Sequence, residues 1–137
     1  MKEQDKRQLQ EKYMQMQLIE QQMQQVQKQL RIIDQQMQEL NMTEQALDEL
    51  KNTKAGTEIL VPMASGIFVK AELKDNKDLA VNVGADTVVK KNVDEAKKLI
   101  TVQIEEVTQM QQDLNVNLEK LASSAQVLEK ELQKLIK

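Results

Sequence analysis

The sequence contains no cysteine and no histidine in its 137 residues. The lack of cysteine excludes disulfides, thiolate nucleophiles and cysteine metal sites, and the lack of histidine removes the commonest metal ligand and general base. Aromatic residues make up only 1% of the chain, so a wide globular core has little large apolar material. With 3 Gly, 1 Pro and 30% charged residues, the composition is typical of long helices.

An excess of one charge and a long apolar run are also missing. Positive and negative residues are interspersed and the net charge is −3, so no basic stripe is available for nucleic acid. No apolar run approaches the ~18 residues of a membrane-spanning helix, and the polar start of the chain does not resemble a signal peptide. We therefore expect a soluble, cytoplasmic protein that is not an enzyme, with no catalytic residue, cofactor or metal site.

Two segments carry the seven-residue apolar repeat of a coiled coil. Within residues 1–54 the repeat has one series, Leu9, Met16, Met23, Leu30 and Met37, and a second three residues later, Ile19, Val26, Ile33, Leu40 and Leu47. Glu44 interrupts the first series, and Gly56 is a stop signal beyond the last turn.

The repeat returns within residues 92–137, after an N-cap signal at Asn92. Its main series is Val93, Ile100, Val107, Leu114, Leu121, Leu128 and Leu135, and the companion series is Ile104, Leu118, Ala125 and Leu132 with Gln111 as a polar exception. Two helices of similar length predict an antiparallel coiled coil with both chain ends at one tip. Leu9 would lie near Leu132 and Leu135, but several pairings of the two series fit and the sequence leaves the register open.

Residues 55–91 follow a different pattern, in which apolar and polar residues alternate as in β-strands. The alternation predicts two successive hairpins, with outer strands at 58–61 and 87–90 and with Pro62 and the Ser65-Gly66 pair separating the first two strands. The fold class is therefore α+β: a long two-helix coiled coil joined by two β-hairpins.

Isolated hairpins are marginally stable in water, and neither helix is free to cover their apolar face if the helices pack on each other. We expect the hairpins to associate with those of other subunits, which would satisfy both their open edges and their apolar face. The alternative is a small private core. The residues predicted to carry assembly are Ile59, Val61, Ile67, Val69, Leu73, Leu79, Val81, Val83, Val88 and Val89.

This helix, double hairpin, helix pattern resembles the alpha-class subunit of the prefoldin family. The similarity is carried by Pro62, Ser65, Ile67-Phe68-Val69 and Leu73, and by the stretches 79–84 and 87–91. Ala71 stands where the family usually has glycine, and Ala85-Asp86 stands where it has a Thr-Gly turn.

The resemblance implies a hexamer of two alpha and four beta-class prefoldin subunits, whose hairpins form an oligomeric β-barrel platform and whose coiled coils hang from it. It also implies ATP-independent binding of unfolded client proteins at the tips and their transfer to a group II chaperonin. Two alternatives stay open: a structural coiled-coil tether or scaffold that oligomerises through its β segment, and a helical arm of an enzyme complex.

The apolar residues predicted to bind clients lie near the two ends of the sequence. They are Leu9, Tyr13, Met14, Met16, Leu128, Leu132, Leu135 and Ile136. Most of them also complete the seam between the helices, which is an alternative role. Tyr13, Met14 and Ile136 are off the seam and are not explained by it. Pairs of glutamines between residues 21 and 36 are interpreted as a neutral solvated helix face.

Overall fold

The computed structural model describes residues 2–136 and confirms the predicted order of helix, two hairpins and helix. The elements are α1 Glu3–Lys51, β1 Glu58–Ala64, β2 Ile67–Glu72, β3 Leu79–Asn82, β4 Val88–Lys91 and α2 Val93–Ile136. Neither helix of the described residues is long and apolar enough to cross a membrane.

The chain divides into two compact units, each containing part of both helices. The first unit comprises Met1–Met37 and Glu106–Lys137, and the second comprises Gln38–Glu105. The helices are antiparallel within each unit. In the first unit Lys12 pairs with Glu131. In the second unit Lys51 Nζ lies 3.0 Å from Asp94 Oδ1.

The heptad repeat predicts which side of each helix is protected from solvent. Every residue of the predicted seam on α1 and on α2 is buried or half-buried. In the first unit the most protected are Val26 and Ile33 on α1 and Leu128 and Leu132 on α2. The alternating spacing of three and four residues therefore identifies the packed face of both helices.

Hydrogen bonds between polar side chains link the two helices within each unit. In the first unit the amide of Gln111 donates through Nε2 to Asp34 Oδ1 at 3.0 Å. In the second unit, beside the seam, Lys97 donates a hydrogen bond to Asp48 that raises the pKa of the lysine, with a smaller contribution from the charge of Glu44. A polar pair between the helices favours one register over others, because a shifted register would leave its groups unpaired.

The first hairpin pairs β1 with β2 antiparallel, and its strands differ from the sequence prediction in one respect. Pro62 lies inside β1, opposite Phe68, rather than in the connection between the strands. A register shift between Pro62 and Ala64 explains this position, since proline has no N–H to donate and is tolerated at irregular ladder positions.

The second hairpin pairs β3 with β4 through a tight turn at Ala85 and Asp86, the pair that stands where the family usually has Thr-Gly. Both residues have left-handed backbones, with φ of 49° and 58°. The N–H of Thr87 donates to the carbonyl of Gly84 at 2.9 Å, which closes a type I′ turn. Alanine is strained in this conformation because its Cβ crowds the backbone.

We expect Ala85→Gly to stabilise the protein by about 1 kcal/mol, because glycine adopts positive φ without steric cost. Thermal unfolding should show a rise of about 3 °C. The matched control is Ala80→Gly, which lies in β3 and should lower stability because glycine weakens strand interiors. A turn variant no more stable than the unmodified chain would contradict the strain argument.

The carboxyl end of α1 is capped from the loop between the hairpins. The side-chain amide of Asn76 donates to the carbonyl oxygens of Leu50 and Lys51 at 3.1 Å each, and to that of Thr53 at 3.0 Å. The predicted stop signal, Gly56, lies beyond these residues and has φ of 87°. The glycine therefore shapes the entry to β1, while Asn76 satisfies the last helical carbonyls.

The start of α2 is capped as the sequence predicts. The backbone N–H of Glu95 donates to Asn92 Oδ1 at 2.8 Å. Asp94 lies in the first turn, and its hydrogen bond from Lys51 lowers the pKa of its carboxyl group. Both features place acceptors and negative charge at the positive end of the helix dipole.

Candidate functional site

The first candidate surface lies in the first unit, at the ends of the helices. Three of the apolar residues predicted to bind clients are exposed there: Tyr13 at 49%, Met14 at 70% and Ile136 at 60%. None of the three belongs to the seam, so the coiled coil gains little from them. Apolar and partly flexible side chains of this kind suit binding to varied apolar segments.

The other predicted residues of this surface pack between the helices. Leu128 and Leu132 are only 6% and 7% exposed. Leu9, Met16 and Leu135 are half-buried. They become available to a ligand only if the helix ends separate, which is physically reasonable because helix ends open at low free-energy cost.

The second candidate surface is the first hairpin, which belongs to the second unit. The register places Ile59 opposite Ala71 and Val61 opposite Val69, so these four side chains share one face. Val69 is 45% exposed, and Ile67 further along the same strand face is exposed too. This face, which we call the hairpin-1 inner face, is apolar and largely uncovered within the chain. Leu73 is half-buried just beyond β2.

The opposite face of the first hairpin is also apolar near its turn, which the sequence did not predict. Pro62 lies opposite Phe68, and Leu60 is on the same face. Leu60 and Phe68 are both exposed. The sequence carries a signal for this patch, since Phe68 stands between two apolar residues of β2, but strict alternation places Phe68 on the face opposite Ile67 and Val69.

The second hairpin differs from the first because its apolar face lies over the chain's own helices. Leu79, Val81 and Val89 share that face and are half-buried. In the second unit a groove of about 650 Å³ is lined by β3 together with Leu47 of α1 and Ile100 of α2, among others. The expectation that neither helix covers a hairpin is therefore wrong for this hairpin. Its remaining predicted assembly residues, Val83 and Val88, are exposed.

Among residues 2–136, no group of acidic side chains is arranged to hold a metal ion. The carboxyl group of Asp75 has a lowered pKa because the backbone N–H groups of Asp78 and Lys77 donate to it. That shift belongs to the turn that positions Asn76, and the candidate surfaces are apolar contact areas.

Comparisons with known proteins agree with this geometry. A family model described as Prefoldin subunit matches residues 19–137. The chain is 28% identical over 88 residues to prefoldin subunit alpha of Thermofilum pendens, an alignment that covers 64% of this chain and 68% of the relative. It is 24% identical over 126 residues to prefoldin subunit alpha of Archaeoglobus fulgidus, with 92% of each chain covered.

The fold also has a counterpart among solved structures. A chain of the cryo-EM structure of filamentous PFD from Methanocaldococcus jannaschii superposes with a TM-score of 0.75 at 21% sequence identity. The superposition covers 85% of this chain and 96% of that chain. At this level of identity the similarity concerns the fold.

Proposed function

The chain belongs to the prefoldin family as an alpha-class subunit, and from this premise we propose that it binds unfolded proteins at its helix ends without ATP. It does so in a cytoplasmic hexamer with beta-class subunits and delivers its clients to a group II chaperonin. One observation carries the proposal: three apolar side chains near the helix ends are exposed without contributing to the seam.

The proposed binding surface consists of apolar side chains whose exposure does not stabilise the folded chain. Tyr13, Met14 and Ile136 offer an aromatic ring, a thioether and a branched aliphatic chain. An unfolded client exposes apolar segments of variable sequence, and burying them against such side chains is favourable by about 25 cal/mol per Å². Opening of the helix ends would add Leu132 and Leu135 to the surface.

The proposed assembly surface is the hairpin-1 inner face. Its exposed valines and isoleucine are too few to form a private core, and the free edges of a two-stranded sheet can accept further strands. Pairing with hairpins of neighbouring subunits would satisfy both the edges and the apolar side chains. We propose that this pairing builds a shared β-barrel platform.

Replacing Tyr13, Met14 and Ile136 together with serine should weaken client capture about tenfold, because much of the exposed apolar contact is lost. The measurement is suppression of light scattering by a chemically denatured client, with the variant assembled with a beta-class partner. ATP should not change the result.

The matched control replaces Met42, Val102 and Val116 with serine, since these residues are also exposed and apolar but lie away from the helix ends. Equal losses in both variants would contradict a surface at the helix ends. The tether alternative predicts that no denatured client is captured and that the ends bind one folded partner instead.

A further inference from the structure

One flank of α1 in the first unit carries a regular row of side chains. This row belongs neither to the seam nor to the proposed client-binding surface at the helix ends. Glutamines recur every seven residues, a set that we call the glutamine ladder: Gln8, Gln15, Gln22, Gln29 and Gln36. The heptad spacing aligns them along one side of the seam, about 10 Å apart. This flanking position of a coiled coil usually carries Glu or Lys.

The amides of the ladder are available for binding. All five side chains are exposed, and none is hydrogen-bonded to another residue of the described range 2–136. A primary amide offers two N–H donors and an acceptor oxygen. The ladder is therefore an uncharged row of paired donors and acceptors at a fixed spacing.

Three grooves between the helices open beside the ladder in this unit. One of about 460 Å³ lies between Gln29 and Gln36 of the ladder and is lined by Ile32 and Met110, both exposed apolar residues. The other two, of about 340 and 370 Å³, are lined by Gln22 with Gln29 and by Gln15 with the exposed Val127. The ladder thus borders two mainly apolar grooves, and a third between Gln22 and Gln29 that is lined mainly by polar side chains.

The two carboxylates that border these grooves are already engaged. Asp113 accepts a hydrogen bond from Gln109 at 3.0 Å, and Glu131 pairs with Lys12. The ladder adds no charge of its own. Asp113 keeps its negative charge because its partner is a neutral amide, which disfavours an acidic segment, whereas the uncharged ladder offers hydrogen bonds to an uncharged one.

We propose that the glutamine ladder and its grooves bind an extended, uncharged segment of an unfolded polypeptide, an inference that rests on the proposed chaperone function. An extended chain rises about 3.3 Å per residue, so every third peptide group meets a ladder amide. The unfolded backbone supplies the N–H and C=O groups that these amides pair with, and its apolar side chains enter the grooves. Recognition through the backbone is independent of client sequence.

The test replaces Gln15, Gln22 and Gln29 with glutamate in the assembled complex. Each change keeps the side-chain shape but removes both N–H donors and adds a charge. We expect binding of a capped, fluorescein-labelled peptide of leucine, serine and asparagine to weaken about tenfold by anisotropy. Circular dichroism and thermal unfolding check that the coiled coil is retained.

The matched control replaces Gln10, Gln17 and Gln24 with glutamate, since these exposed glutamines lie on the opposite flank of α1 and give the same change in charge. Peptide binding close to that of the unmodified complex is expected for the control. Equal weakening of both variants, or of neither, overturns the ladder proposal. A photo-crosslinker at position 22 should capture the peptide, whereas one at position 24 should not.

The outcomes also separate this proposal from the proposed function. If the serine variant of the helix ends loses binding while the ladder variant retains it, the ladder proposal fails and the chaperone function stands. If the unmodified complex does not bind the peptide or a denatured protein, the function itself fails. A change of assembly mass in the ladder variant alone overturns the proposal, because the flank would then contact another subunit.

Discussion

Val69→Asp is expected to dissociate the assembly into separate subunits while leaving the helices intact. Val69 lies on the hairpin-1 inner face opposite Val61 and is exposed in the isolated chain, so a carboxylate there costs the subunit little. In a shared barrel the same position would be buried, and an unpaired buried charge weakens association by about 3–5 kcal/mol. Light scattering with a beta-class partner measures the mass, and circular dichroism reports the helices.

The control is Val116→Asp, the same substitution at an exposed position of α2 outside the hairpins. It should leave the mass of the complex unchanged. A full-size complex formed by Val69→Asp would show that the hairpin-1 inner face stays open to solvent in the assembly. The proposed platform would then have to be built from the other face, around Phe68.

We expect a charged substitution to have different effects in the two hairpins, because Val69 is exposed whereas Val81 is half-buried. Val81 is half-buried and lines the groove beside α1 and α2 in the second unit. A charge at Val81 would therefore act on the folding of this unit as well as on any assembly. Sequence alternation alone treats Val69 and Val81 as equivalent. The difference arises from the packing of the second hairpin on the helices.

Periodicity predicts the local part of this structure well. The heptads identify every protected seam residue, and Asn92 identifies the start of α2. The same periodicity explains why Leu128 and Leu132 are buried while Tyr13 is exposed. Both groups are apolar and near the helix ends, but only the first group keeps the seven-residue spacing.

Features that depend on contacts between distant segments were not predictable in this way. Pro62 remains in its strand because of a register shift that involves β2. The exposed apolar patch at Phe68 depends on which residue stands opposite it. The cap of α1 is supplied from a loop more than twenty residues further along the chain, by Asn76. A single polar residue in a loop carries no periodic signal that would reveal such a role.

Asn76→Asp is expected to lower the free energy of unfolding by about 3 kcal/mol. This change is larger than the one expected for Ala85→Gly, the other substitution that acts within a single subunit. The substitution removes the donors that bind three carbonyl oxygens at the end of α1. The Leu50 carbonyl keeps its hydrogen bond from the Thr53 N–H, but the substitution deprives the Lys51 and Thr53 carbonyls of the Asn76 donor and places a negative charge against the negative end of the helix dipole. Thermal unfolding should occur about 10 °C lower.

Two comparisons isolate the charge from the lost hydrogen bonds. Asn76→Ala should cost about 1–2 kcal/mol, because it removes the donors without adding charge. Asn115→Asp makes the same chemical change at an exposed position of α2 that has no side-chain hydrogen bond among the described residues, and should change stability little. An aspartate variant no less stable than the alanine variant would show that the helix end tolerates negative charge.

The defect of Asn76→Asp should also depend on pH, in a direction set by the carbonyl oxygens. Those oxygens disfavour the charged carboxylate, so the pKa of the new side chain is raised in the folded state above its unfolded value near 3.9. The folded protein then binds more protons than the unfolded chain, and the penalty grows as pH rises through the raised pKa. The difference in unfolding temperature from the unmodified chain should therefore be smaller at about pH 4 than at about pH 7. A difference independent of pH would mean that the carboxylate turns away from the end of α1 into solvent.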